Sequence, residues 1–287
     1  MFYAIWGVKY GSSQMEAMEL VQLRRDAEEE IALGNFKVML SARFFPAYGE
    51  DDYIVISTEE PSQRDAVRIP MLRQEKGDMR SLCDFVIPKE SGRTSPFGCF
   101  AISVHAADAH EEGCCCPACS NKYEDLIGKA VRMTLAEAAS TWLDRKLKEE
   151  LDTKSCRSEI KIIKPAAGYS SCPDHTLKRD ILDLLGECCT CGEHKHEEHC
   201  GCGHHGHSHS HGHGSHSHHD SNAGLRIKLT ESYAMTPEAS ICGTIFMHPE
   251  ARYHEIRTIS QAQHDSYALR RGMDEQTARR FLGHLLK

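Results

Sequence analysis

Between Cys188 and Asp220 the chain carries no apolar side chain longer than cysteine. Five cysteines and twelve histidines fill the stretch, spaced mostly by Gly and Ser. Such a segment buries too little surface to offset the entropy of ordering it, so it is expected to be disordered without metal. Residues 186–223 therefore read as a His/Cys-rich insert, and one domain must be assembled from what flanks it. At 287 residues and 40% hydrophobic the chain can bury a sizeable core without staples.

Several function classes recede on composition. The formal charge is −8 with no long basic block, which argues against a nucleic-acid partner. No apolar run approaches the ~18–20 residues of a membrane span. Met1 to Gly11 lack the basic, apolar and small-residue parts of an export signal, so a soluble cytoplasmic protein is expected. In a reducing cytosol, cysteines clustered beside histidines point to metal or redox chemistry rather than disulfides.

The flanking patterns are regular. A helix is expected over Ser13–Leu33, with Met15, Met18, Val21 and Ile31 inward and Gly34 as its stop. Strands are expected over Phe36–Phe45 and Tyr53–Ser57, joined around Gly49-Glu50-Asp51-Asp52, and over Phe97–Val104. A long helix follows over Tyr123–Leu151, with Leu126, Ala130, Ala138 and Trp142 near one face. Pro173-Asp174 opens a helix to Leu185 with Leu177, Ile181 and Leu184 at burial spacing. Leu225–Leu229, Ile241–Met247 and Arg252–Ile259 read as strands, and two short helices close the chain, broken at Gly272 with Asp274 as an N-cap. Strands that cluster rather than alternate with helices favour an α+β fold: a twisted, mostly antiparallel sheet flanked by helices.

Two segments are unusual for a generic core. One runs Lys164-Pro165-Ala166-Ala167-Gly168-Tyr169-Ser170-Ser171-Cys172-Pro173-Asp174-His175-Thr176. The other runs Leu229-Thr230-Glu231-Ser232-Tyr233-Ala234-Met235-Thr236-Pro237 and continues through Gly243 to His248-Pro249 and Tyr253. Together they resemble the AdoMet-binding activation domain of cobalamin-dependent methionine synthase, whose pattern is R-P-A-x-G-Y-P-x-C-P-x-H-T, then L-T-E-S-x-A-M-x-P, then H-P-x-x-x-Y. Asp84-Phe85-Val86-Ile87-Pro88-Lys89, Leu72-Arg73-Gln74 and Leu135-Ala136-Glu137-Ala138 fit the same family, in order, from about Phe36 to the C-terminus.

The resemblance implies a domain that binds AdoMet and supports reductive methylation of cob(II)alamin to methylcobalamin. An electron from a flavodoxin-like donor reduces the cobalt, and the AdoMet methyl traps the product. The chain has no room for the homocysteine, folate and cobalamin modules, so the cobalamin would be held by a partner: a methionine synthase lacking this domain, or another corrinoid protein. By resemblance the AdoMet site comprises Asp84, Lys164, Ala166, Gly168, Tyr169, Tyr253 and His254. Read without the family, Asp84 is a turn or N-cap aspartate and Tyr253 a core tyrosine. Lys164 stands where the family has Arg, keeping the charge but not the two-pronged geometry. Ser170 replaces a Pro. Glu137 by resemblance faces the cobalamin-bearing partner; by pattern alone it is equally a solvated helix-face carboxylate.

The thiols and imidazoles give the competing reading, a metal-handling protein on an AdoMet-domain scaffold. His194, His196, His199, Cys200, Cys202, His204 and His205 are candidate ligands for Zn, Ni, Cu or Co, with affinity from multiplicity rather than a preformed cage. Cys116 and Cys119 form a C-x-x-C that reads as a metal pair, an exchanging dithiol or an incidental surface cluster. Asp108-x-His110-x-x-Gly113 matches a cobalamin-ligating loop, but without the downstream Ser-x-Leu and Gly-Gly of that module it reads as chance.

Overall fold

The computed structural model describes residues 14–34, 36–57, 67–106, 122–153, 159–186 and 224–286. Its centre is a six-stranded antiparallel sheet in the order β3-β2-β1-β4-β8-β5. The strands are β1 (Phe36–Glu50), β2 (Tyr53–Ile56), β3 (Val67–Pro70), β4 (Ser95–Ala106), β5 (Lys161–Ile163) and β8 (Ser240–His248), and β6 (Lys228–Leu229) pairs separately with β7 (Met235–Thr236). The expected β1–β2 hairpin forms at Asp51-Asp52, both left-handed at φ 48° and 61°, the two-residue turn that matches strand twist.

The sheet is covered on both sides, and β4 shows why it reads as an unbroken apolar run. Phe97, Cys99 and Ala101 face α3 (Leu177–Leu184), packing with Ile181 and Leu182. Phe100, Ile102 and Val104 face the long helix α2 (Lys122–Thr153), packing with Ala136, Leu143 and Leu147. Beyond the α3 side, α4 (Gln261–Arg271) and α5 (Glu275–Leu282) close a third cluster around Tyr267, Leu282 and Ile259. Ser260 and Asp274 cap these two helices, and Gly272 ends α4 in the left-handed region, as expected.

Four expectations are corrected. In α1 (Gln14–Ala32) Val21 is 50% exposed and Ile31 43%, and Ala27 is the residue that packs on Ile127 and Val131 of α2; the side chains of Met15 and Met18 lie outside the described residues. In α2, Leu126 and Trp142 lie outward, because the helix packs on α1 with one half and on the sheet with the other, turning the buried stripe. The α3 helix starts at Leu177, since Pro173 to Thr176 form a turn held by Asp174, whose Oδ1 accepts from the Thr176 N–H at 2.8 Å. Arg252–Ile259 is extended but joins no ladder beyond one bridge, Ile259 to Leu286; it straps over the loop after β5 instead. β3 and β5, three to four residues long, carry no periodicity to read.

Candidate functional site

On the α2 face the chain leaves β5 and loops back across β8, and Gly243 is what allows the crossing. A Cβ there would stand 2.4 Å from the Pro165 carbonyl oxygen and 2.9 Å from the Ala166 Cα. The Thr244 N–H donates to the Pro165 carbonyl at 3.0 Å, pinning the loop to the sheet. The loop then tightens on itself: the Gly168 N–H reaches the Cys172 carbonyl at 2.7 Å and the Cys172 N–H the Tyr169 carbonyl at 2.8 Å. Gly168 sits at φ +97°, where a Cβ would lie 2.3 Å from the His175 ring. The 252–259 strap fixes the outer side, the Ile256 N–H donating to Ser170 at 2.8 Å and the Ser171 hydroxyl to the His254 carbonyl.

These elements enclose an open cleft of about 450 Å³. Phe100 and Ile241 of the sheet, Glu137 and Ser140 of α2, Lys164 to Ala166, Tyr169 to Ser171, and Tyr253 to Glu255 line it. Tyr169 and Tyr253 are 70% and 60% exposed, and the Tyr253 hydroxyl oxygen accepts from the Lys164 backbone N–H at 2.9 Å. His254 is the opposite case. It is 8% exposed, packs edge-on to Phe85 with centroids 6.1 Å apart, and both ring nitrogens are buried without a hydrogen bond of good geometry. Burial holds its pKa below the ordinary value, against the pull of the nearby Arg252 backbone and the Asp84 charge. A buried imidazole whose nearest polar neighbour is the Arg252 backbone is under-satisfied, which favours the neutral ring.

The structure brings Lys164, Ala166, Tyr169, Tyr253, His254 and Glu137 to this one cleft. It does not bring Asp84 or Gly168 to its lining. Asp84 sits in the short 3-10 helix Leu82–Phe85 as the reciprocal half of a capping box with Ser81, and Arg73 grips its carboxylate at 2.6 and 2.9 Å. Lys164 lines the cleft with its ammonium turned into α2, donating to the Ser140 carbonyl at 2.5 Å and hydroxyl at 2.8 Å, with Asp144 at 3.2 Å. Burial lowers its pKa, while Asp144 opposes the shift. Sequence reading missed Ser140 and Asp144, although with Glu137 they share a helix face at spacings of three and seven. The candidate metal ligands His194, His196, His199, Cys200, Cys202, His204, His205, Cys116 and Cys119, and the His110 loop, lie outside the described residues. Among the described residues no three His, Cys, Asp or Glu side chains are grouped to hold a metal, and no helix is long and apolar enough to cross a membrane.

With the cleft defined, comparison with known proteins is decisive. A family model described as the activation domain of vitamin B12 dependent methionine synthase matches residues 5–195 and 208–272. The chain belongs to that family. A crystal structure of the MetH reactivation domain bound to AdoHcy superposes with a TM-score of 0.73 at 26% identity, covering 99% of this chain and 84% of that one. The antiparallel sheet and flanking helices are thus the activation-domain fold, and the break in the family match, residues 196–207, falls inside the His-rich insert.

Proposed function

We propose that the cleft binds AdoMet and that the protein serves as a separate activation component for a cobalamin-dependent methionine synthase in the cytoplasm. In this role it supports conversion of the partner's cob(II)alamin to methylcobalamin, with the electron coming from a flavodoxin-like donor. The observation that carries the reading is the convergence on one cleft of six residues that the family resemblance assigns to ligand or partner. Its volume falls in the range of small-molecule sites. The AdoHcy in the related reactivation domain supports the same ligand class.

AdoMet supplies an electrophilic methyl group, and the chain's residues bind and orient it. Tyr169 and Tyr253 offer flat faces at the mouth, suited to an adenine or a sulfonium. His254 offers one donor and one acceptor as a neutral ring. The Ala166 region presents backbone polar groups along a loop fixed by Gly243. Glu137, on the exposed side of α2, faces a partner docking over the cleft. Gly168 acts one step back, through the shape of the loop, while Asp84, paired with Arg73, lies away from the cleft lining.

Calorimetric titration with AdoMet tests this. Saturable binding by the wild type, weakened at least tenfold in Tyr169→Ala and in His254→Leu, supports it; a folded wild-type protein that takes up no AdoMet refutes it. A second reading rests on the density of imidazoles and thiols where the family match breaks: the insert binds Zn, Ni, Cu or Co. Deleting residues 186–223 separates the two, because metal uptake is then lost and AdoMet binding kept.

A further inference from the structure

Beneath the cleft loop lies a contact that ligand binding itself does not require. The His175 imidazole lies across Gly168 so closely that even a Cβ would overlap it. Its Nδ1 is 3.1 Å from the Lys178 ammonium, which also donates to the Tyr233 carbonyl at 2.8 Å. Lys178 is buried, and no carboxylate among the described residues lies within ion-pair distance of it. Burial lowers the Lys178 pKa too, but with its ammonium as donor the His175 nitrogen is the acceptor, which leaves the ring neutral with its proton on Nε2. Tyr233 is fixed in turn, edge-on to Phe281 of α5 at 5.2 Å. A chain of contacts thus runs from the C-terminal helices through Tyr233, Lys178 and His175 to the underside of Gly168, next to Tyr169 at the mouth of the cleft.

We propose that His175 is a positioning residue: it props the Ala166–Cys172 loop in its cleft-forming shape, and does so only as the neutral imidazole. Protonation turns Nδ1 from acceptor into donor facing an ammonium, which breaks the contact and places two positive charges side by side. The ring then moves off Lys178 and cannot keep its place against Gly168. The charged and titratable groups facing His175 are Lys178 on α3, Asp174 in the preceding turn and His284 in the C-terminal 3-10 helix. Burial and Lys178 hold its titration below the ordinary histidine value, with Asp174 opposing. The loop is therefore set at neutral pH and loosens under acid.

This rests on the AdoMet reading only for its consequence, and the experiment separates the two. Hydrogen exchange of the loop amides, corrected for the intrinsic pH dependence of exchange, is followed alongside the NMR titration of His175 on the intact chain. Loop protection is expected to fall with the His175 midpoint, by up to about tenfold per pH unit below it. His175→Gln, which accepts from Lys178 but cannot protonate, is expected to flatten that profile. AdoMet affinity, measured at the same pH values, should follow the protection in the wild type and lose this component in His175→Gln. A His175 ring that titrates while loop protection stays flat overturns the proposal, with no dependence on the variant folding. Protection that tracks His175 in a protein indifferent to AdoMet would uphold the proposal and refute the functional reading instead.

Discussion

Lys164 and Ser140 are joined twice, through the hydroxyl at 2.8 Å and the carbonyl at 2.5 Å, so this cation of the cleft lining is held by the helix that also carries Glu137. With Asp144 at 3.2 Å, the ammonium has a polar neighbour for each of its three protons. The family's Arg would present a fork; this Lys presents its stem and backbone. Lys164→Met is therefore expected to lower AdoMet affinity by less than about tenfold, or 1.4 kcal/mol. Stability should change by no more than about 1 kcal/mol, because relief of the buried charge offsets the lost hydrogen bonds. Calorimetry and urea denaturation read both numbers, and a hundredfold loss of affinity would mean that the ammonium leaves α2 to meet the ligand.

Gly243 carries a different prediction, since its Cβ would strike main-chain atoms of Pro165 and Ala166 that cannot rotate away, as well as the buried Phe100 ring. Gly243→Ala must lift the loop off β8 or bend the strand. Overpacking of this kind destabilises by about 1–3 kcal/mol. AdoMet affinity should fall with it, because the displaced residues form the wall of the cleft. A variant that melts and binds like wild type would show that the crossing yields at no cost.

Legibility in the sequence followed the physics of each element. The Asp51-Asp52 turn, the Phe97–Val104 stretch of β4, and the Gly272 and Asp274 helix ends are set by local chemistry and were readable. Val21 and Ile31 have helical spacing but lie off the face on which Ala27 meets Ile127 and Val131, and spacing alone does not say which face a neighbouring helix will cover. Arg252–Ile259 looked like a strand because a segment that alternates buried and exposed residues has the same pattern whether it joins a ladder or straps a loop. The cleft was legible as motifs and not as geometry. Nothing local says that the Lys164 ammonium turns inward, that His254 is buried, or that Gly168 is kept small by His175 seven residues on, since each depends on what another segment brings to it.

Asp84 gives a pH-dependent prediction. Burial works against its ionised form, yet the Arg73 fork and the Ser81 N–H outweigh it, and the pKa lies below the usual value of 3.8. A carboxylate depressed in the folded state contributes stability that is complete above its unfolded pKa and is lost as pH falls through the folded one. Asp84→Asn should thus cost about 1 kcal/mol at neutral pH, discounted for partial exposure. The difference from wild type should close as pH drops below the ordinary carboxylate range. Denaturant curves for both proteins at neutral and acid pH check it; an equal gap at both would assign the effect to packing.

Tyr267 and Asp174 tie the C-terminal helices to the turn that follows the cleft loop. The Tyr267 hydroxyl donates to Asp174 Oδ2 at 2.9 Å in a site where both residues are about 1% exposed, and Arg271 stands 3.2 Å from the same oxygen. Tyr267→Phe keeps the ring and leaves that buried oxygen one hydrogen bond short. The expected loss is about 1–3 kcal/mol, the cost of an under-satisfied buried group. In a chain of this size that lowers Tm by roughly 2–4 °C per kcal/mol. Because Asp174 Oδ1 also holds the Thr176 N–H, the loss should appear as faster amide exchange at Thr176 before global unfolding. A lowered Tm with unchanged Thr176 exchange would place the weakness in α4 and α5 rather than in the turn beneath the cleft.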